Sequence, residues 1–155
     1  MLVNNAGVMP IGPFLEQSEQ SIRSSIEVNL YGVIAGCQLA LPDMIARRRG
    51  HIINIASLSG VIPVPGQVVY VGAKFGVVGL SAALADEVAP HGVHVSVVMP
   101  PFTNTELISG TKETPGTKPV EPEDIAAAIA RIDAAGDGPF RGARRPTATP
   151  AHQFP

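Results

Sequence analysis

The feature that most constrains the fold is an alternation of short apolar runs with long helical patterns. Apolar runs cover residues 2–4, 51–56 and 93–99, and the isoleucine-rich run at 51–56 does not alternate strictly between apolar and polar side chains. Such runs are typical of parallel strands that are buried on both faces. Helical spacing of apolar residues fills most of residues 16–48 and 67–88. This order predicts right-handed crossovers and an α/β fold with an incomplete doubly wound parallel sheet of about three strands and flanking helices.

The carboxyl-terminal part of the sequence changes in composition. A loop rich in Thr, Gly and Pro covers residues 102–119, and a short helix is predicted at residues 121–132. Residues 137–155 contain four prolines, three arginines and almost no aliphatic residues, so they cannot bury enough surface to offset their ordering entropy. We therefore expect one partial domain over residues 1–136 and a disordered tail over residues 137–155.

Charge and cysteine content exclude several classes of protein. Eleven basic and thirteen acidic residues give a formal net charge of -2, which provides no positive field for binding nucleic acid. Polar residues interrupt every apolar segment before about 18 residues, so we expect no membrane partner.

Cys37 has no second cysteine to pair with, and the four histidines lack metal-ligand spacing. A cytoplasmic protein without a metal is the expectation.

Two side chains in the second helical region have the spacing of a catalytic pair. Tyr70 and Lys74 are four residues apart, so they share one face of a helix. A free phenol has a pKa of about 10, which is too high for efficient proton exchange near neutral pH. An ammonium about 5 Å away contributes on the order of 3 kcal/mol, enough to lower that pKa by roughly two units. Ser57 ends the preceding strand, where its hydroxyl can bind the same substrate oxygen.

Four motifs, in this order and at these spacings, resemble those of the short-chain dehydrogenase/reductase family. They are Asn4-Asn5-Ala6-Gly7, Asn29 within VNLYG, the strand IINIAS that ends at Ser57, and Tyr70-Val-Gly-Ala-Lys74 thirteen residues later. The resemblance implies a Rossmann-like fold and hydride transfer between NAD or NADP and a small-molecule carbonyl or alcohol. It also implies a homo-oligomer for the full-length form.

The resemblance further implies a role for each matched residue. Tyr70 would be the general acid/base, Lys74 would bind the nicotinamide ribose and tune Tyr70, and Ser57 would orient the substrate oxygen. Asn29 would hold a water in the proton relay. The adenosine side of the cofactor cleft, where a missing side chain permits close approach, would be lined by Asn5, Ala6 and Gly7.

The loop after the third strand departs from the family's pattern. Pro100 is followed by Pro101, where the family usually has glycine, and proline removes a backbone N–H and fixes φ near -65°. Thr105 stands where the family has a threonine that contacts the cofactor, and Thr103 is a second candidate. We therefore expect Pro100, Thr103 and Thr105 beside the cofactor, with close contact less favoured at the proline pair.

The glycine-rich turn that holds the pyrophosphate in this family has no counterpart in the sequence, and neither has the residue that selects the ribose. The resemblance covers residue 2 to about residue 132 and includes only part of the family's sheet. The sequence therefore predicts a chain truncated at its amino terminus, so that activity of this chain alone has to be tested.

Two other classes of function stay open. A non-catalytic remnant would only bind related subunits, through the helices that carry Asn29 and Tyr70. A serine hydrolase would use Ser57, but IASLS lacks the G-x-S-x-G elbow of that class. Purely structural explanations also exist, since Asn29 can end or kink a helix, and Tyr70 with Lys74 can be a partly exposed helix pair.

Overall fold

A computed structural model describes residues 1–108 and 119–135 of the chain. The strands are β1 (Leu2–Asn4), β2 (Gly50–Ile55) and β3 (Val93–Val98). The α-helices are α1 (Glu19–Ile26), α2 (Gly32–Ala46), α3 (Val68–Val88) and α4 (Pro122–Ala135). The disordered tail expected at residues 137–155 lies outside the described residues, as does most of the predicted loop.

The three strands form one parallel sheet in the order β1-β2-β3. Asn4 is aligned with Asn54, and Ile55 is aligned with Val98. Since the strands run in the same direction, their carboxyl ends meet at one edge, which is where ligands bind in folds of this kind. The predicted α/β class and three-stranded parallel sheet are confirmed.

Helices lie on both faces of the sheet. α2 contacts β1 and β2, and α3 contacts β2 and β3. Because both crossovers are right-handed and lead to the next strand in the same direction, α2 and α3 lie on the same face of the sheet. Neighbouring residues of a strand point to opposite faces, and His51, next to the core residue Ile52, contacts Asp133 of α4 at 3.2 Å. α4 therefore lies on the opposite face. The core under α2 and α3 consists of Val33, Cys37, Met44, Ile52, Ala56, Val77, Val88, Val93 and Val95.

The segment predicted as two helices that meet near Asn29 is one continuous helical segment. Ser18 caps α1 by accepting a hydrogen bond from the backbone N–H of Ser21, a favoured arrangement at a helix start. A π-helical turn, Glu27–Tyr31, then joins α1 directly to α2. Asn29 therefore does not end a helix, which was one of the structural alternatives left open by the sequence. It lies in a π-helical turn, and such turns are frequent at functional sites.

A buried chain of polar side chains fixes α3 against the sheet. Asn4 donates to Asn54 at 2.8 Å, and Asn54 donates to Ser81 at 2.9 Å. Ser81 donates in turn to the carbonyl of Val77 at 2.7 Å. Because buried polar groups are costly unless they are paired, this network specifies how the helix carrying Tyr70 sits on the strands.

Two helical segments, Glu19–Ala46 and Val68–His91, are long and apolar enough to cross a membrane when judged by length and composition alone. Core helices of soluble proteins pass the same test. The apolar runs in both segments are interrupted by polar residues, but the average hydropathy of the segments is still high. The expectation of no membrane partner therefore stays a prediction.

Candidate active site

Three of the predicted side chains meet at the carboxyl edge of the sheet. Ser57 follows β2 by two residues, and Tyr70 and Lys74 lie in the first two turns of α3. Ser57 lies close enough to Tyr70 for its hydroxyl to lower the pKa of the phenol, and Lys74 Nζ lies 5.6 Å from the centre of the Tyr70 ring. Tyr70 is 4% exposed and Lys74 3% exposed. The structure brings the three groups together, and their catalytic roles stay predictions.

Ser57 is oriented by the turn that it begins. Its Oγ accepts a hydrogen bond from the backbone N–H of Ser59 at 3.1 Å, as the N-cap of the short helix Leu58–Gly60. The oxygen is thereby held in place while its own proton is left to donate. Ser57 can donate that proton to the oxygen of Tyr70 or to a substrate oxygen bound between them.

Burial dominates the acidity of Tyr70. It raises the pKa of the phenol above its ordinary value of 10.0, and the hydroxyl of Ser57 offsets part of that rise. The sequence argument expected Lys74 to lower this pKa. That expectation is wrong for the chain by itself, because loss of water disfavours the phenolate more than the neighbouring groups favour it.

Lys74 is a buried ammonium held by a backbone oxygen. Its Nζ donates to the carbonyl of Ile55 at 2.9 Å, and burial lowers its pKa from 10.5 to about 8. No ion pair with Lys74 occurs within residues 1–108 and 119–135. An ammonium has three N–H donors, so two of them are left for a bound ligand.

Asn29 acts on the loop that follows β1. Its Nδ2 donates to the carbonyls of Val8 and Ser25, each at 2.8 Å, and its Oδ1 accepts from the N–H of Val8 at 3.1 Å. Asn29 is fully buried and does not line the cavity described next. The structure thus shows Asn29 holding the segment after Gly7 in place, while its role in a proton relay stays a prediction.

One cavity of about 810 Å³ contains the remaining predicted residues. A methyl group on Gly7 would lie 3.1 Å from Asn29 Oδ1 and 3.9 Å from Lys74 Nζ, so the absent side chain keeps the cleft open beside the ammonium. The loop threonines make local hydrogen bonds, Thr103 to the carbonyl of Pro101 and Thr105 to that of Thr103. The predicted residues that line this cavity are Asn5, Ala6, Gly7, Ser57, Tyr70, Lys74, Pro100, Thr103 and Thr105.

Sequence reasoning missed several residues that line the cavity. Gln67, only 4% exposed, lines it just before α3 begins, and its distance of three residues from Tyr70 was the available signal. α4 contributes Ile125 and Ile129, whose helical spacing marks an apolar face but does not show what that face packs against. In the described part of the chain no cluster of His, Cys, Asp or Glu is arranged to hold a metal ion.

Comparison with known families agrees with this geometry. The profile of the family described as short chain dehydrogenase matches residues 1–116, which include every motif of the site. The chain belongs to the short-chain dehydrogenase family. Members of this family are generally NAD(P)-dependent oxidoreductases.

Similar proteins include reductases from animals and bacteria. Carbonyl reductase family member 4 of Xenopus tropicalis is 39% identical over 134 residues, which are 83% of this chain and 57% of that protein. Oxidoreductase UcpA of Escherichia coli is 33% identical over 132 residues, 84% of this chain and 49% of that protein. The 3-oxoacyl-[acyl-carrier-protein] reductase FabG of Staphylococcus aureus is 39% identical over 107 residues, 69% and 44% of the two chains.

Solved structures of short-chain dehydrogenases have the same fold. A 4-hydroxyisoleucine dehydrogenase, solved in complex with NADH and succinate, superimposes with a TM-score of 0.76 at 28% identity over 87% of this chain and 61% of its own. A short-chain dehydrogenase from Streptomyces avermitilis has a TM-score of 0.75 at 32% identity, over 89% and 57% of the two chains. The chain spans roughly half the length of its relatives, 57% of the Xenopus protein and 49% of UcpA.

Proposed function

We propose that this chain carries the proton-transfer and ribose-binding half of a site for hydride transfer between NAD or NADP and a carbonyl or alcohol. The observation that carries the proposal is the convergence of Ser57, Tyr70 and Lys74 on one cavity. Family membership and the NADH-bound structural relative support it. A small-molecule substrate and a cytoplasmic location are parts of the same proposal.

The residues that face the cavity fit a nicotinamide cofactor. Lys74 has two N–H donors free for ribose hydroxyls, and the bare Cα of Gly7 leaves room beside them. When bound, the cofactor supplies or accepts the hydride. Asn5, Ala6, Pro100, Thr103 and Thr105 would line the rest of the cleft.

Tyr70 and Ser57 divide the work at the substrate oxygen. In the direction of reduction, the O–H bond of Tyr70 breaks and its proton goes to the carbonyl oxygen as the hydride reaches the carbonyl carbon. Ser57 donates a hydrogen bond to that oxygen and so stabilises the negative charge that develops there. Tyr70 is protonated at neutral pH and so holds the proton that reduction needs, although its raised pKa makes that proton harder to transfer than a pKa nearer to neutral would.

Titration with NADH and NADPH, followed by the fluorescence of the reduced nicotinamide, tests the proposal. We expect saturable binding that is lost in Lys74→Ala and kept in Arg23→Ala, which changes an exposed cation far from the cavity. Absence of binding by the wild-type chain, or equal binding by Lys74→Ala, would contradict the assignment.

A second candidate is a non-catalytic chain that only binds related subunits. An exposed stripe on α3 favours pairing of two copies. Its two large apolar side chains, Val68 and Phe75, are 48% and 44% exposed. Two exposed glycines lie on the same stripe, Gly72 between these residues and Gly79 beyond Phe75. Dimers in solution that Phe75→Glu converts to monomers, without any NADH binding, would favour this candidate. A serine hydrolase at Ser57 gains no support, since no His, Asp or Glu among the described residues lines the cavity.

A further inference from the structure

The far wall of the cavity is apolar and uncharged. Apart from Lys74, no Arg, Lys, His, Asp or Glu in residues 1–108 and 119–135 lines it. Burying an ionised group without a partner is strongly unfavourable, so this wall fits an uncharged apolar substituent. Three separate segments supply its side chains: Ile62 and Val64 after β2, Phe102 and Leu107 after β3, and Ile125 and Ile129 of α4.

Gln67 is the exception on this wall. Its backbone is fully used, since its N–H donates to Val64 and its carbonyl accepts from the N–H of Val71. Its side chain lines the cavity, and no hydrogen bond of the amide occurs within residues 1–108 and 119–135. The amide is not a sealed polar group, since among the described residues the buried side-chain atom without a partner is Gln17 Oε1. An amide that is open to the cavity and makes no bond to the described protein is free to bind a polar group of the ligand.

The position of Gln67 tells where that polar group lies. Gln67 is the residue before α3 begins, Tyr70 is three residues later, and the side chains of both line the same cavity. Tyr70 holds the reacting oxygen. A group bound by Gln67 therefore lies close to the reacting carbon and not at the far end of the substrate.

We propose that Gln67 is a specificity-determining residue and that the substrate is an uncharged ketone or secondary alcohol with a second neutral oxygen beside the reacting carbon. The rest of the substrate is an apolar substituent that packs on the wall. A glutamine amide both donates and accepts hydrogen bonds, so the second oxygen is a hydroxyl or a carbonyl. This inference rests on the function proposed for Tyr70.

Binding of two matched ketones tests the inference without turnover. 2,3-Octanedione and 2-octanone differ by one carbonyl. The cofactor in this test is the oxidised form, NAD or NADP, of whichever reduced cofactor binds in the titration described above. Neither ketone can be oxidised by it, so no turnover occurs. With that cofactor at saturation, we expect the wild-type chain to bind the dione about tenfold more tightly, as one hydrogen bond to a buried amide allows. Calorimetry or ligand-observed NMR gives both dissociation constants.

Substitution of the amide should remove the preference and little else. Gln67→Leu and Gln67→Met should each weaken dione binding about tenfold while 2-octanone binding stays within about twofold. Gln38→Leu, at an exposed position of α2 outside the cavity, should leave both constants unchanged. Circular dichroism of the variants confirms that they are folded.

Two results would overturn the inference: equal binding of the two ketones by the wild-type chain, or an unchanged preference in both Gln67 variants. Failure of the proposed function looks different. It appears as absence of NADH and NADPH binding, or as reduction at the wild-type rate by Tyr70→Phe, and neither result depends on the ratio of the two ketone constants.

Discussion

The ammonium of Lys74 donates a 2.9 Å hydrogen bond to the backbone carbonyl of Ile55, the last residue of β2. Ser57 follows Ile55 by two residues, so this one contact ties the helix that carries Tyr70 to the end of the strand that leads to Ser57. The hydrogen bond between Asn54 and Ser81 fixes the same helix about two turns further along, because Ser81 follows Lys74 by seven residues. The proposed catalytic groups are therefore positioned by backbone and core contacts before any ligand binds.

The burial of Lys74 predicts a specific pH dependence of stability. Its pKa is lowered from 10.5 to about 8 in the folded chain. Between these values the unfolded chain binds more protons, so the free energy of unfolding rises with pH. The free energy of unfolding of the wild-type chain, relative to that of Lys74→Met, should rise by on the order of 3 kcal/mol between pH 7.5 and pH 10.5. Urea unfolding of both proteins at the two pH values measures the gain, and a constant difference would contradict it.

Much of the fold could be predicted because it depends on local sequence. The apolar runs of strand length and the four-residue spacing of Tyr70 and Lys74 are properties of short segments. The π-helical turn could not be predicted in this way. Asn29, within that turn, donates a hydrogen bond to the carbonyl of Val8 and accepts one from its N–H, although Val8 is twenty-one positions away.

Within the site, residue types were easier to predict than their environments. The motifs locate Ser57 and Lys74, but the raised pKa of Tyr70 follows from the packing around the phenol. Gln67 and α4 belong to the cavity only because separate segments fold against one another. Long-range packing of this kind leaves no local pattern to read.

Two helical glycines should respond oppositely to alanine. A methyl group on Gly36 of α2 would lie 2.3 Å from Asn4 Oδ1, inside the buried polar network, whereas one on Gly79 of α3 would contact nothing within 4 Å. Gly36→Ala should therefore destabilise the chain by about 1–3 kcal/mol. Gly79→Ala should stabilise it by about 0.5–1 kcal/mol, because glycine is costly inside a helix. Urea denaturation compares them, and equal effects of the two substitutions would be inconsistent with this packing.

His51 joins β2, β3 and α4 through both of its ring nitrogens. Nε2 lies 2.9 Å from Ser96 Oγ and Nδ1 lies 3.2 Å from Asp133 Oδ1, with the His94 ring edge-on at 6.1 Å. Burial lowers the pKa of His51 below its ordinary value of 6.5, although Asp133 opposes this shift. The folded state thus favours the neutral ring.

The free energy of unfolding should consequently fall as the pH drops through 6.5, the ordinary pKa of His51, because the unfolded chain then takes up a proton that the folded chain resists. His51→Gln should reduce this loss between about pH 7.5 and pH 5, the range in which a histidine of lowered pKa titrates. His91→Gln, at an exposed position, serves as the control. Identical pH profiles for wild type and His51→Gln would argue against the contact.

The account depends most on proton exchange through Tyr70. The most direct measurement is the rate of NADH- or NADPH-dependent ketone reduction by the wild-type chain and by Tyr70→Phe, with cofactor binding measured on both. We predict that Tyr70→Phe binds the cofactor within about threefold of wild type and reduces the ketone about 10²–10⁴-fold more slowly, as expected for loss of a general acid. A Tyr70→Phe chain that reduces the ketone at the wild-type rate would contradict the account.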